Sequence, residues 1–598
     1  MRLAALDWII IAAYFGLTLA IGLWAARRAG QDTTEFFLSG RDMPWWLLGA
    51  SMVATTFSTD TPNLVTDIVR QHGVAGNWAW WAFLLTGMLT VFVYAKLWRR
   101  AGLLTDIEFY ELRYSGRPAA FLRGFRAVYL GVFFNVMIMA TVTLAAIKIG
   151  SVLLGFTPVQ TIVVAGGVTM IFSVAGGLRS VVLTDLVLFV VAITGAIVAA
   201  VVALGAPGVG GLRGLLANPQ VAGSLSLLPD PSNTDALVTL LLIPVAVQWW
   251  SVWYPGAEPG GGGYIAQRML SARSEREATA ATLLFNVAHY ALRPWPWIIV
   301  ALASLVVFPT LGELQTAFPD IPASVIGHDL AYPAMLTLLP AGLLGLVVAS
   351  LAAAYMSTLS THLNWGASYV VNDVWKRFVA PAAREAELVW VGRVTTVVLM
   401  VLSALVALAL TSALGAFQIL LQIGAGTGLL FILRWFWWRI NAFSEITAMV
   451  VSFLVAIWLE LLQPRLFPDV VTTSAERLLL GVGITTVAWL VATFVTRPAD
   501  RATLERFVAL TRPGGPGWRA IVPHPVEAPE DWSVPRGVLA MLVGTMMVYA
   551  TLFATGSWLY GLRARAAFLG VVAVLCGVGL VILWPKVAGA GRDEAPAA

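Results

Sequence analysis

The chain is poor in charge, in cysteine and in clustered histidine, and each shortage removes a class of function. Only 12% of its 598 residues are Asp, Glu, Lys or Arg, against about a quarter in soluble domains, so water is not its main solvent. The single cysteine, Cys576, lies in an apolar run; this excludes an internal disulfide and argues against a cysteine-built metal site. His72, His289, His328, His362 and His524 are scattered without metal-ligand spacing. A membrane-embedded transferase would need a cluster of acid, base or metal ligands, so an enzyme is not expected. The four-glycine run from Gly260 to Gly263 lacks the Lys-Ser/Thr ending of a nucleotide loop. The one sizeable polar segment, about 497–536, is too short and Pro-rich for the signalling module that a transporter-like sensor would carry. The net charge of +5 comes from Lys and Arg in short loops, where lipid headgroups account for them better than nucleic acid does.

What the chain has in abundance is apolar length. Hydrophobic residues make up 59% of it, gathered in runs of roughly 20, enough for a helix to cross about 30 Å of hydrocarbon. Such runs predict about fifteen spans, near 6–26, 45–69, 76–99, 123–150, 157–175, 181–204, 237–256, 278–309, 335–372, 389–410, 413–438, 442–462, 475–496, 537–556 and 564–585. Lys96, Arg99, Arg100, Arg113, Arg117, Arg123 and Arg126 crowd the third connection, whereas 310–332 holds no Lys or Arg. That bias predicts a cytoplasmic third connection, an outside N-terminus and a cytoplasmic C-terminus in a cell membrane of inner or plasma type.

Polar interruptions of these spans are where function is expected. From Gly49 to Asn63 an apolar helix turns into a run of hydroxyls ending at Pro62. A break near 56–61 would free carbonyls for a cation; a kinked helix whose hydroxyls bond their own backbone would leave the same pattern. From Gln248 to Arg268, two prolines and a run of four glycines interrupt a second span, which must form a loop or line a cavity. In a third span Ala354, Ser357, Thr358 and Thr361 share a helix face with Ser360 adjoining, fit for a hard monovalent cation or for helix packing. Asp185 is the only charge in 181–204, a functional hypothesis by default.

These residues resemble the sodium/solute symporter family, which includes sodium–glucose, proline and sialic acid carriers. Gly49 to Ser58 is similar to its first broken helix, Gly176-Gly177-Leu178 with Thr184-Asp185 to its GGL…TD signature, and Tyr264 to Ala278 to its YI-QR-L motif. Met356 to Asn364, Asp373 and Gly392-Arg393 extend the likeness, which covers roughly 5–440. The resemblance implies an all-α, leucine-transporter-type core of five plus five inverted helices at 45–438, after an extra helix and loop at 1–44 and before accessory helices at 439–598. It implies a sodium site from the carbonyls of Ala54, Phe57 and Ala354 with the hydroxyls of Ser357 and Thr358. A second sodium site would use Asp185, Ser360 and Thr361 together with Ser357. Tyr264 matches an aromatic that closes over substrate and Asn135 a sugar-contacting Asn; Thr61, Asp60, Gln418 and Gln422 are further solute candidates. Leu188, where sugar carriers have Gln, and the insert from Pro255 to Gly263 depart from the sugar pattern. The expected function is sodium-coupled import of a small neutral polar solute, a sugar before an amino acid or carboxylate, with sodium, solute and lipids as partners and no nucleic acid.

Overall fold

Backbone groups in hydrocarbon must bond within their own segment, so long apolar runs fold as helices. The computed structural model describes residues 3–26, 33–251, 258–410, 420, 423–424, 426–522 and 533–589. Its only extended pairing among them is one isolated bridge between Met43 and Ala272. Ten helices among the described residues are long and apolar enough to cross a membrane; of the other expected spans, 6–26 forms a shorter continuous apolar helix and 45–69 a helix broken in two.

α1 (Ala5–Ala26) precedes a helix broken in two, α2 (Trp45–Thr56) and α3 (Asp60–His72). The break falls where the sequence places it. Pro62 stands in the first turn of α3, where no intrahelical N–H is required, so it starts the new helix rather than kinking the old one. Then come α4 (Val74–Ala101), α5 (Gly116–Leu154), α6 (Pro158–Ile171) and α7 (Leu178–Leu204). The helix is continuous from Gly167 to Leu204, so α6 and α7 run into one another where the sequence predicts two separate spans, at 157–175 and 181–204, because no proline or unsatisfied backbone group interrupts the stretch between them.

The second interrupted span is α8 (Thr234–Ala246) and α9 (Gly263–Ser271). The Pro/Gly stretch lies between them, its residues 252–257 outside the described ones. α10 (Glu275–Val307), α11 (Leu343–Val379) and α12 (Glu385–Ala409) follow. α11 starts later than the expected 335, because Pro340 and Gly342 (φ 87°) separate it from a short helix at Ala331–Leu336. Of the expected span 413–438, residues 411–419, 421–422 and 425 lie outside the described ones, and Gly428–Leu433 is helical.

α13 (Ala442–Leu466) and α14 (Ser474–Val495) follow, and the segment after them is more than a loop. It carries α15 (Arg501–Thr511), whose Phe507 packs on Trp435 and Phe109, and Trp518, whose indole donates to the Trp435 carbonyl. α16 (Val534–Leu559) braces the core through the Tyr549 hydroxyl on the Trp81 carbonyl (2.8 Å) and the Trp295 indole on the Leu552 carbonyl (2.9 Å). α17 (Arg563–Val587) packs on α16 but leaves Phe568, Val574, Leu575 and Val581 exposed, as a lipid-facing helix does.

Candidate functional site

Both faces of the α2–α3 break are occupied. α2 stops when Phe57 leaves helical geometry (φ −86°, ψ 71°), which frees the last carbonyls of the helix. On one face α11 crosses α2. The Thr358 hydroxyl donates to the Thr55 carbonyl at 2.7 Å, and the Thr55 and Thr361 hydroxyls lie 3.0 Å apart. The Ser357 hydroxyl donates to Asp185 Oδ1 at 2.6 Å, and Ser51 of α2 donates to Oδ2 at 2.5 Å. Each hydroxyl has one proton and two lone pairs. Ser357 and Thr358 both direct that proton elsewhere, so both keep lone pairs for a cation.

Arg268 of α9 closes this face. Its guanidinium donates to Thr361 Oγ1 (2.8 Å), Ser51 Oγ (3.2 Å) and Gln267 Oε1 (2.9 Å), and stands 3.8 Å from Asp185. Arg268 and Asp185 are fully buried, so four helices, α2, α7, α9 and α11, meet in one polar cluster within the membrane.

On the other face lies a cavity of about 140 Å³, lined by Asp60, Thr61, Trp80, Tyr264, His289 and Arg293 among others. Gly261 (φ 82°) brings the α9 approach against it; a side chain there would collide with Met269 and Thr90. Trp80 and Tyr290 stack as an aromatic wall, ring centroids 5.8 Å apart at 25°. One end of the cavity is bounded by Glu258, held by Arg126 at 2.6 Å and 3.8 Å from Arg434, which also pairs with Glu445. Towards the far end of α3 and α5, Lys148 pairs with Asp329 at 2.6 Å, and Arg70 donates to the Ser304 and Phe308 carbonyls.

A broken helix against a hydroxyl-rich one, with a polar-edged cavity beside the break, is the arrangement of an ion-coupled carrier. The sodium:solute symporter family profile matches residues 36–452. The chain belongs to this family. It is 26% identical to the sodium/glucose cotransporter of Vibrio parahaemolyticus over 77% of this chain and 86% of that one. It is 28% identical to the mouse sodium/myo-inositol cotransporter 2 over 75% and 69%. A solved Na+-coupled sialic acid symporter superposes with a TM-score of 0.63 at 18% identity, covering 83% of this chain and 99% of that one, and shows the shared fold. The protein is thus a multi-pass, sodium-coupled solute symporter and not an enzyme.

Within the symporter, the predicted ion residues Ser357, Thr358, Ser360, Thr361 and Asp185 come together, with Ala54 and Phe57 at the end of α2 and Ala354 one turn before Ser357 on α11. Asp60, Thr61 and Tyr264 line the cavity. Asn135 does not: its amide donates to the His362 carbonyl (2.8 Å) and the Gly131 carbonyl (3.2 Å), tying α5 to α11. That correction follows from Gly366, which leaves room for Asn135 between the two helices. Gln418, Gln422 and Trp253 lie outside the described residues. Trp249, Trp250 and Trp365 are not in the cavity wall, where Trp80 stands instead. Glu258 is a paired carboxylate, as a buried charge must be. His289 and Arg293 also line the cavity, and Arg293 carries a signal visible in the chain, as the one Asp, Glu, Lys or Arg in the expected span 278–309, the same signal that marks Asp185.

Proposed function

We propose that the symporter imports a small polyhydroxy solute of sugar type, driven by sodium bound between α2 and α11 at Ala54, Phe57, Ala354, Ser357 and Thr358. The observation that carries the ion site is the pair of adjacent hydroxyls whose protons point away, to Asp185 and to the Thr55 carbonyl. Five neutral oxygens suit a hard monovalent ion without any net protein charge. Sodium there clamps the broken helix to α11 and shapes the cavity on the other face of the break. Its departure loosens that clamp, and linkage requires the solute to tighten sodium binding by the same factor. Sugar class is supported by the glucose and myo-inositol relatives and by the Trp80–Tyr290 wall, since aromatic faces suit the apolar faces of a sugar ring.

Ser357 also belongs to the Asp185 group, so we place a second sodium at Asp185, Ser360 and Thr361. Arg268 competes for that carboxylate, and the ion enters as the guanidinium withdraws towards Gln267. We further propose that the N-terminus faces outside and the C-terminus the cytoplasm, which puts the Glu258–Arg126 end of the cavity on the cytoplasmic side.

The test is thermal stability of purified protein in NaCl against choline chloride, across a solute library. A sodium-dependent shift, enlarged by one solute and lost in Ser357→Ala and Thr358→Ala, is expected. Sodium dependence of uptake should show a Hill coefficient near 2, falling near 1 in Asp185→Asn. A protein indifferent to sodium but driven by a pH gradient would sink the reading.

A further inference from the structure

Arg293 is an unusual side chain to find in the wall of a solute cavity. It is 1% exposed, and among the described residues no carboxylate oxygen lies within 4.0 Å of it. Buried charges are ordinarily paired, and Arg126, Arg268 and Arg434 each have an Asp or Glu at that range, whereas among the described residues the buried Arg113 and Arg70 are, like Arg293, held by backbone carbonyls without one; of these six, Arg293 alone lines the cavity.

The way it is held shows what is missing. Nη1 donates to the Val53 carbonyl (3.3 Å) and to Thr56 Oγ1 (3.1 Å), Nη2 makes only a long contact with His289 Nε2 (3.4 Å), and Nε has no partner. Phe57 and Trp297 stack on the guanidinium from 5.6 and 5.2 Å. Nε is therefore unpartnered and Nη2 keeps one N–H beyond its long contact with His289; together they form the side-on edge that grips a carboxylate through two parallel hydrogen bonds.

His289 does not supply the counter-charge. Thr56 Oγ1 donates to the Met52 and Val53 carbonyls, so it accepts from His289 Nδ1 at 3.1 Å, which leaves Nε2 as an acceptor facing Arg293. This pattern is that of a neutral imidazole. Asp60 lines the cavity beyond ion-pair range, and Glu258 is already held by Arg126.

The backbone is built to present this pair. α10 opens into a wider π-turn at Ala288–Leu292, since Pro294 and Pro296 cannot donate to the carbonyls of Tyr290 and Leu292 four residues back. Such turns re-aim side chains and recur at functional sites. Here the turn places His289 and Arg293 on the cavity, with Trp295 pinned behind them to α16.

We infer that the transported solute carries a carboxylate, received side-on by Nε and Nη2 of Arg293 beside Tyr290 and Trp80, and so belongs to the sugar-acid class rather than to neutral sugars. The inference rests on the reading of this cavity as the solute site. The anion completes the pairing that the protein leaves open, and its contact with the residues that grip Val53 and Thr56 ties it to the helix end where sodium binds.

The experiment is sodium-driven uptake and thermal shift with matched solutes, glucuronate against glucose, and with gluconate, lactate and alanine as further arms. Glucuronate is expected to act at concentrations at least tenfold below glucose. Arg293→Gln should cut its apparent affinity at least tenfold while the shift produced by sodium alone persists, and Arg293→Lys, which keeps the charge but not the fork, should fall between. An alanine response that Asp60→Asn removes and Arg293→Gln weakens would assign the carboxylate to an amino acid and overturn the sugar-acid class. Glucose acting as well as glucuronate, Arg293→Gln without effect on acids, or no acid response in a protein that still responds to sodium would each overturn the carboxylate itself. Loss of the sodium response in the wild type would instead strike the coupling, so the two failures are separable.

Discussion

Two buried arginines flank the same broken helix and are treated in opposite ways. Arg268 sits in a closed cluster with Asp185, Ser51, Thr361 and Gln267. Arg293, on the cavity side, is anchored to Val53 and Thr56 but left with an unpartnered Nε and no carboxylate. The closed cluster joins α2, α7, α9 and α11 into one body. The open one waits for a group the protein does not supply. The same side chain is a structural cation on one face of α2 and a binding group on the other, and only its neighbours decide which.

The strongest way to break this comparison is Asp185→Ala, which strands the Arg268 charge. Breaking a buried pair from one side costs about 3–5 kcal/mol, so a large drop in melting temperature is expected, and Asp185→Ala with Arg268→Met should recover part of it. Were Arg293 also structural, Arg293→Gln would be equally damaging. A stability change within about 1 kcal/mol is expected instead, because no carboxylate loses its partner; melting in detergent without solute checks it.

A packing change sharpens the contrast from outside both clusters. A methyl at Gly366 would lie 2.3 Å from Asn135 Nδ2 and 2.7 Å from the Gly131 carbonyl. Gly366→Ala should therefore cost about 1–3 kcal/mol through overpacking with no change in solute selectivity, as competition assays on proteoliposomes would report. The smallest effect is expected far from the break, at the start of α15. Hydrogen bonds to Ser115 and Thr503 hold the Asp500 carboxyl down at about 2. Asp500 caps the Thr503 amide at 2.9 Å, and its removal should cost about 1 kcal/mol. A depressed carboxyl stabilises above its ordinary value near 3.9 and loses that contribution as pH falls through about 2. The local protection of 501–511 in hydrogen exchange should thus be weaker in Asp500→Ala at neutral pH.

Much of the ion side was legible in the sequence. Pro62 after a hydroxyl run marks a break because proline removes a donor, and Ser357, Thr358 and Thr361 share a face because helical positions three and four apart align. Asp185 stood out as the lone charge of its span. The solute side was less legible. Asn135 was expected at the solute and instead bridges α5 to α11, a role visible only once Gly366 is seen opposite it. Arg293 carried the same signal as Asp185, but its meaning depends on what does not stand beside it, and an absent partner has no signature along the chain.

Sequence by itself determined the solvent, most of the apolar spans and the break at Pro62, because these follow from apolar length and from backbone groups that proline cannot satisfy; it did not show that 167–204 is one helix. Tertiary structure decided which charges are paired. That is set by distances of 2.5–3.8 Å between Asp185 and groups on helices remote in sequence, and at those distances a buried charge is either neutralised or left to bind something else.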